Sequence, residues 1–473
     1  MMSRSWKCLG AAVLAMCLAG TADAAPGDLA IGSWGYNHWQ TDLPTGQTET
    51  LHPVGPRYTS IGGELVVGGS ATAAPSRAFA AGVIEDAGMV KPALTMFNKK
   101  GYEENKANGA AWDFGNTLID DTYGTAVPAN VPADLQFHSA ATSRIVVNGT
   151  TVQSQYFYQV VTTPSTMYVY GYNNDGTINT TFGTGGRLDI PFYSSVFEIV
   201  DIVNTGTRLV IAGSARATST SEPDAVLVGV TYAGALDPTF GTGGKAWASI
   251  GFVDRFTSLA VDWDGKLVAV GRTRTPTTTW DVLVARFNPN GTLDTSFDGD
   301  GLVRFDFGNA ARDDQGRAVY LDGSGKVTLT ASLCVAGVLG CDVGVARLKA
   351  NGAFDAPFAQ NGRAEFDLTA DGVRVSAIGT DGTRLLVAGE AYFAPDGSRS
   401  EPFLLGLLSN GSADSTYGPG GFRHYPDVTY VSAFESLTSV WRDGVRRLVA
   451  AGTRESDLTS GLRRAGLASG HWP

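Results

Sequence analysis

The hydrophobic positions of this chain fall mainly into short runs that end in glycine. Each run follows a charged residue and stops at a turn-forming position, which is the pattern of a buried β-strand and too short for an amphipathic helix. The runs recur seven times, usually 58 to 64 residues apart. They occupy residues 64–69, 144–149, 208–213, 266–271, 326–331, 384–389 and 447–452.

A second motif alternates with these runs without a gap. Its clearest copy, 288–297, reads Asn-Pro-Asn-Gly-Thr-Leu-Asp-Thr-Ser-Phe and precedes a Gly-rich turn. We call its final aromatic residue the anchor. The seven anchors are Trp34, Tyr123, Phe182, Phe240, Phe297, Phe358 and Tyr417. Two motifs that independently count seven units indicate a repeat protein whose neighbouring units complete one another's core.

Each unit contains four strand patterns. The first follows the Gly-rich turn, as in 301–307, and the others are exemplified by 258–262, 266–270 and 281–287, with an Asp264-Gly265 turn between the second and third. The sequence therefore predicts an all-β fold, a seven-bladed β-propeller of four-stranded antiparallel blades. An open β-repeat array is the alternative. Residues 461–468 match a fourth strand and the Trp34 region matches what should follow it, which favours a closed ring.

The segments 288–297 and 264–271 resemble the delta-60 repeat family of bacterial secreted and surface proteins. The resemblance extends over essentially the whole chain after the N-terminal segment and implies a β-propeller. It implies no catalytic residue or substrate, because none is established for that family. Two positions depart from the pattern: Ile31 stands where most copies have Asp, and Ala331 replaces the glycine that ends the fifth run.

Residues 1–24 have the features of a secretory signal peptide. Arg4 and Lys7 precede an apolar stretch, and Ala22-Asp23-Ala24 forms a small-x-small cleavage site. Cleavage would leave residues 25–473 as a single seven-unit domain, secreted to the periplasm or the extracellular space, and would change the formal charge from −11 to −12. An acidic chain is a poor match for nucleic acid, and no later segment is long and apolar enough to span a membrane.

Cys334 and Cys341 are the two cysteines outside the signal segment. They flank a loop-like stretch between two strand patterns, so in an oxidising compartment we expect a local disulfide across a hairpin. Two thiols alone do not make a zinc site, because structural zinc takes four ligands.

A recurring acid precedes five of the seven anchors by three residues. In most proteins such an acid binds nearby backbone amides of its turn, and its presence in nearly every unit favours a structural role. Calcium or a cationic ligand in the channel is the alternative, although no EF-hand spacing is present. We otherwise expect no cofactor. The acids are Asp120, Asp237, Asp294, Asp355 and Asp414, with Asn179 in the remaining clear copy.

The first unit carries an insertion near residues 99–118. Exposed aromatic and basic side chains in such an insertion suit contact with a protein or a glycan. The alternative is a tolerated loop whose Trp112 packs on a blade. The candidate interaction residues are Lys100, Tyr102, Lys106, Trp112 and Phe114.

No catalytic motif is present: the five histidines have no metal-binding spacing, and there is no nucleophile elbow or phosphate-binding loop. The leading hypothesis is a secreted, monomeric, non-catalytic propeller that binds or scaffolds a protein or glycan partner. The alternatives are a propeller-type hydrolase or lyase acting on polysaccharide, with carboxylates that converge from several blades, and a structural component of the cell surface.

Overall fold

The computed structural model describes residues 166–173, 178–192 and 198–425, except 310, 339, 382 and 394–398, and elsewhere mainly the backbone of the strands given below. The described elements are β-strands apart from a 3-10 turn at Pro419–Gly421. No helix in this part of the chain could cross a membrane. The strands form seven sheets, which we number 1 to 7 in chain order.

Sheet 1 contains β2 (Ser60–Gly63), β3 (Ala78–Asp86) and β4 (Met89–Phe97). Sheet 2 contains β5 (Ser143–Asn148), β6 (Tyr156–Thr162), β7 (Thr166–Tyr172) and β8 (Arg187–Pro191). Sheet 3 contains β9 (Glu198–Asn204), β10 (Leu209–Arg216), β11 (Pro223–Val230) and β12 (Lys245–Ala248). Sheet 4 contains β13 (Val253–Val261), β14 (Leu267–Arg274), β15 (Asp281–Phe287) and β16 (Leu302–Phe305).

Sheet 5 contains β17 (Asp313–Leu321), β18 (Val327–Cys334), β19 (Asp342–Leu348) and β20 (Arg363–Phe366). Sheet 6 contains β21 (Val373–Thr380), β22 (Leu385–Tyr392), β23 (Ser400–Leu407) and β24 (Phe422–His424). Sheet 7 contains β25 (Ala433–Arg442), β26 (Val445–Ser456), β27 (Leu462–His471) and, beside β27, β1 (Val13–Cys17).

The sheets follow one another around a centre. In sheets 2 to 6 the strands lie side by side in chain order and are antiparallel. The first strands contact one another in the order β5, β9, β13, β17, β21, β25 and β2, and β2 contacts β5 again. This is the radial arrangement of a β-propeller with the first strands innermost. The predicted fold class is confirmed over the described residues, and this order favours it over the open β-repeat array.

The sheets are offset by one strand from the units read in the sequence. The strand predicted at 301–307, after the Gly-rich turn, is observed as β16. β16 pairs with β15, with Leu302 opposite Ala285. It therefore belongs to the sheet that precedes the turn. The reason is that the turn sends the chain back antiparallel to the strand it has left, and the two strands become hydrogen-bonded neighbours.

Sheet 7 differs from the others in its outer strand. β1 pairs with β27 in parallel, with Val13 opposite Ala465 and Cys17 opposite Ser469. β1 lies inside residues 1–24, so removal of a signal peptide would also remove this strand. Cleavage after residue 24 stays a prediction.

The glycine that ends the fourth apolar run, Gly271, has a packing reason. Gly271 pairs with Phe256 where the register of β13 shifts, and a Cβ at position 271 would lie 1.9 Å from the carbonyl oxygen of Arg255. The shift in β13 is a β-bulge that brings this carbonyl close. β17 has the same shift, and there Ala331 pairs with Gly316. Ala331, which replaces the usual glycine, is therefore paired with Gly316, a residue that has no side chain.

The five anchors within the described residues lie in the cores between sheets, whereas Trp34 and Tyr123 lie outside the described residues. Phe297 is fully buried and packs with Val268 and Val270 of its own sheet and with Val327 and Leu329 of the next sheet. Phe182, Phe240, Phe358 and Tyr417 are buried to the same extent. Burial of an aromatic side chain contributes about 2 kcal/mol to stability, so each sheet depends on its neighbour for part of its core.

Candidate functional site

The acid before each anchor organises the turn that follows it. One Oδ of Asp294 accepts hydrogen bonds from the backbone N–H and the hydroxyl of Ser296, at 3.1 and 2.7 Å. Asp237, Asp414 and Asn179 make the same pair of bonds to Thr239, Thr416 and Thr181. Asp355 cannot, because Pro357 has neither group.

The other oxygen of each carboxylate binds a cation from the start of the preceding apolar run. Lys266 Nζ lies 2.8 Å from Asp294, and Lys326 Nζ lies 3.0 Å from Asp355. Arg208 and Arg384 reach Asp237 and Asp414 at 2.9 and 3.2 Å. Sequence reasoning missed this partner. A signal was present, since six of the seven runs begin with Lys or Arg and only the first begins with Glu64.

The strand position beside each described anchor ring holds either arginine or glycine. Arg286 and Arg347 each place a guanidinium over the ring of the anchor, Phe297 and Phe358, and each also binds the acid before that anchor at 2.8 and 2.7 Å. In the other three described sheets a glycine occupies the equivalent strand position, and the ring lies against it so closely that a Cβ would be 2.6 to 2.7 Å from the ring. These glycines are Gly171, Gly229 and Gly406.

The turns also join neighbouring sheets. After four of the five described anchors, the backbone N–H of the next residue donates to a carbonyl in the turn of the following sheet, over 2.7 to 2.9 Å. The recurring acids thus hold a turn that is itself bonded to the next sheet, and this arrangement supports the structural role expected of them. The four bonds run from Gly183 to Ala233, Gly241 to Asn290, Asp298 to Asn351 and Ala359 to Asn410.

The pKa values of these carboxyl groups are lowered. Burial acts against the charged form of Asp294, but hydrogen bonds from Lys266 and Ser296 and the charge of Arg286 outweigh it and hold its pKa well below the usual range. The pKa values of Asp237, Asp355 and Asp414 are lowered for similar reasons. These acids are therefore charged at neutral pH and engaged with protein groups.

We expect the contribution of Asp355 to stability to be lost in acid. Its pKa in the unfolded chain is about 3.9 and is lower in the folded protein, so as the pH falls the unfolded chain takes up the proton first and unfolding is favoured. The difference in urea midpoint between the wild type and Asp355→Asn should be complete at neutral pH and shrink below about pH 4. A difference that stays the same down to about pH 3 would contradict the ion pairing.

The two faces of the propeller have different chemistry. Successive strands of an antiparallel sheet run in opposite directions, so the first-to-second and third-to-fourth connections lie on the same face of the propeller. We call this the anchor face, because the anchor turns lie there. The second-to-third connections and the links between sheets lie on the opposite, variable face. The sequences of its loops share no motif; the second-to-third connections of sheets 3 to 6 are 217–222, 275–280, 335–341 and 393–399.

One loop of the variable face carries the predicted disulfide. Cys334 and Cys341 are bonded across the β18–β19 connection, with their Cα atoms 4.4 Å apart. Cys341 exchanges two backbone hydrogen bonds with Val373 of sheet 6, at 3.0 and 2.8 Å. Val335 and Val338 are about half exposed at the tip. The bridge thus constrains an apolar loop that is tied to the next sheet.

The variable face also carries charged groups that do not repeat. Arg312 is buried and lies 3.2 Å from Asp314, 3.1 Å from Glu365 and 3.8 Å from Asp342. Burial and the nearby Asp367 and Glu365 raise the pKa of Asp342, although Arg312 opposes them. A carboxyl group with a raised pKa beside a second carboxylate is the arrangement that general acid catalysis requires.

Sheet 6 contributes a further unit-specific group. His424 Nδ1 lies 2.5 Å from Glu401, whose other oxygen is 2.7 Å from an Nη of Arg399. The His424 and Phe393 rings are 4.8 Å apart. These positions lie at the outer edge of the sheet, because β24 is its outermost strand.

Other candidates from the sequence lie outside the described residues. They are Lys100, Tyr102, Lys106, Trp112 and Phe114 of the insertion, together with Asp120. Within the described part of the chain, no group of three or more His, Cys, Asp or Glu residues could hold a metal ion. Calcium binding therefore stays an open expectation.

Comparison with solved structures finds resemblances at low sequence identity. The chain resembles the propeller domain of the Trilobed protease from Pyrococcus furiosus (9% identity, 64% of this chain and 75% of the other, TM-score 0.32). It also resembles an endo-arabinase from Bacteroides thetaiotaomicron (10%, 57% and 93%, TM-score 0.32) and a subtype N11 neuraminidase-like protein from a flat-faced bat virus, H18N11 (10%, 69% and 85%, TM-score 0.37).

No curated protein matches the chain. Residues 264–297, which run from the Asp-Gly turn of sheet 4 to its anchor Phe297, match a family described as a domain of unknown function (DUF5122) beta-propeller.

Proposed function

We propose that this chain is a secreted, non-catalytic β-propeller that acts as a binding or scaffold module for a protein or glycan partner. The observation that carries the proposal is the difference between the two faces. On the anchor face, the recurring acid of each sheet from 3 to 6 binds a Lys or Arg of the same sheet. On the variable face, the loops of sheets 3, 4 and 5 differ in their chemistry.

A set of unlike loops on a rigid ring suits selective recognition. Loops held by a scaffold carry binding residues in many folds, because the scaffold fixes their positions and tolerates their variation. The loop of sheet 3 is rich in Ser and Thr, that of sheet 4 ends at Trp280, and that of sheet 5 is apolar and closed by a disulfide. Such a surface offers hydroxyl, aromatic and apolar contacts to one partner.

The runner-up is a hydrolase or lyase that acts on polysaccharide. One observation favours it, the raised pKa of Asp342 beside Glu365. Arg312 lies between these acids and pairs with both, at 3.8 and 3.1 Å. A guanidinium in that place favours the charged form of each carboxyl group and works against a general acid.

The experiment that tests the proposal measures binding and cleavage together. The full chain, recovered after secretion, is run in native gels that contain one polysaccharide each, and the same mixtures are assayed for new reducing ends and for unsaturated sugar products. We expect retardation by at least one polysaccharide without product. Product formation that Asp342→Asn abolishes and the exposed-acid control Asp264→Asn does not would overturn the non-catalytic proposal, and no retardation at all would overturn glycan binding.

A further inference from the structure

Two arginine side chains meet one tryptophan on the variable face of sheet 4. The guanidinium carbons of Arg272 and Arg274 lie 4.7 and 4.6 Å from the centre of the Trp280 ring. Arg272 and Arg274 are two residues apart on β14, so their side chains leave the same side of the strand. Trp280 follows the loop 275–279 and immediately precedes β15. The three side chains thus form one surface cluster at the edge of the sheet.

The charge of Arg274 is not balanced in the way that the arginine charges at the anchors are. At the anchors, each guanidinium over an aromatic ring also binds the neighbouring carboxylate, as Arg286 does with Asp294. Among the described residues, Arg274 has no carboxylate within ion-pair distance, and its side chain is exposed. The acids beside Trp280 have other partners: Asp281 binds Arg304, and Asp313 accepts the backbone N–H of Trp280.

The surroundings of Arg274 add aromatic and hydroxyl groups. The backbone N–H of Phe252 donates to the carbonyl oxygen of Arg274 at 2.8 Å, and 44% of Phe252 is exposed. The loop 275–279 contains four threonines, and Thr275 and Thr278 share a hydrogen bond of 3.1 Å between their hydroxyls that orders it. Arg272 donates to Gln315 of sheet 5, which ties the cluster to the next sheet.

These groups match the parts of an acidic sugar. A guanidinium fork matches a carboxylate in shape and charge. The C–H face of a sugar ring is apolar and packs on exposed aromatic rings, and threonine hydroxyls both donate to and accept from sugar hydroxyls.

We propose that Phe252, Arg272, Arg274 and Trp280 form a binding site for a glycan that carries uronic-acid carboxylates. This inference rests on the proposed binding function and names the chemistry of its ligand. The carboxylate binds Arg274 beside Arg272, and the sugar ring packs on the exposed aromatic surface.

The test uses an oligogalacturonate and its methyl ester, which keeps the sugar ring and removes the charge. Binding to the full secreted chain is measured by titration calorimetry. We expect the charged oligosaccharide to bind at least about tenfold more tightly than the ester, and its binding to weaken between roughly 0.05 and 0.15 M salt.

The variants separate the site from general electrostatic attraction. Arg274→Ala should weaken binding by about tenfold or more, and Phe252→Ala should weaken it several-fold. Lys349→Ala removes the same charge from an exposed position on the anchor face and should leave binding unchanged. Equal effects of Arg274→Ala and Lys349→Ala, in variants with unchanged circular dichroism and melting, would overturn the site.

The remaining outcomes distinguish this inference from the proposed function. Retention of a neutral polysaccharide with no affinity for galacturonate would overturn the inference and leave the binding function standing. Affinity for hexaglutamate equal to that for galacturonate would overturn the glycan chemistry. Galacturonate that is bound through Arg274 and then cleaved would support the site and overturn the non-catalytic function.

Discussion

Replacing Asp294 with alanine is expected to lower the free energy of unfolding by about 3 kcal/mol. The carboxylate is buried and accepts hydrogen bonds from Lys266, Arg286 and both groups of Ser296. Its removal leaves Arg286, which is itself buried, without its charge partner. Breaking a buried ion pair from one side costs far more than the pair contributes in total, because the remaining charge stays desolvated.

The measurement is urea unfolding of the wild type and two variants. Asp264→Ala is the matched control, since Asp264 belongs to the same sheet and is exposed, and its effect should stay within about 0.5 kcal/mol. Asp294→Asn should fall between the two, because the amide oxygen can still accept from Ser296 while the charge is lost. A loss below about 1 kcal/mol for Asp294→Ala would show that the turn does not depend on this carboxylate.

Replacing Gly271 with alanine is expected to cost a similar amount, about 3 kcal/mol, for a steric reason. The new Cβ would lie 1.9 Å from the carbonyl oxygen of Arg255 and 2.8 Å from the Cα of Phe256. Both neighbours are backbone atoms of a β-bulge in the innermost strand, so no side-chain rotation relieves the overlap. The bulge itself must move, and it lies against sheet 5.

Gly323→Ala serves as the control for Gly271→Ala. Gly323 lies in a turn, and a Cβ there would meet no atom within 4 Å. Both variants are compared by thermal melting and by urea unfolding. A near-neutral effect of Gly271→Ala would contradict the close approach of the bulge and would leave Gly271 without a packing reason.

The sequence was informative where the repeat is regular. Seven apolar runs and seven anchors predicted the number of sheets and the strands within them, because a buried strand and a turn each leave a local pattern of hydrophobic, glycine and aspartate positions. The close spacing of Cys334 and Cys341 predicted the bridge between them. The disulfide belongs to a hairpin, so its geometry is also local.

The sequence was less informative about contacts between units. The sheets are offset by one strand from the sequence units because the anchor turn joins two strands that pair with each other. The hydrophobic pattern of a single strand does not show which strand it pairs with. The partners of Asp294 are similar: Lys266 is 28 residues away, and only the folded sheet brings the two together. One strand position holds Arg286 beside the anchor Phe297 and Gly229 beside the anchor Phe240. The contact of this position with the anchor ring is seen only in the folded protein.

The amino-acid sequence by itself determined that this protein is an all-β repeat of seven units, since strand and turn formation depend on residues near one another in the chain. Tertiary structure alone decided what the repeated acids contact and where unrepeated chemistry collects. Arg272, Arg274 and Trp280 have no motif in common, and Phe252 comes from the link between two sheets. They became one candidate site because antiparallel pairing places the ends of their strands on the same face.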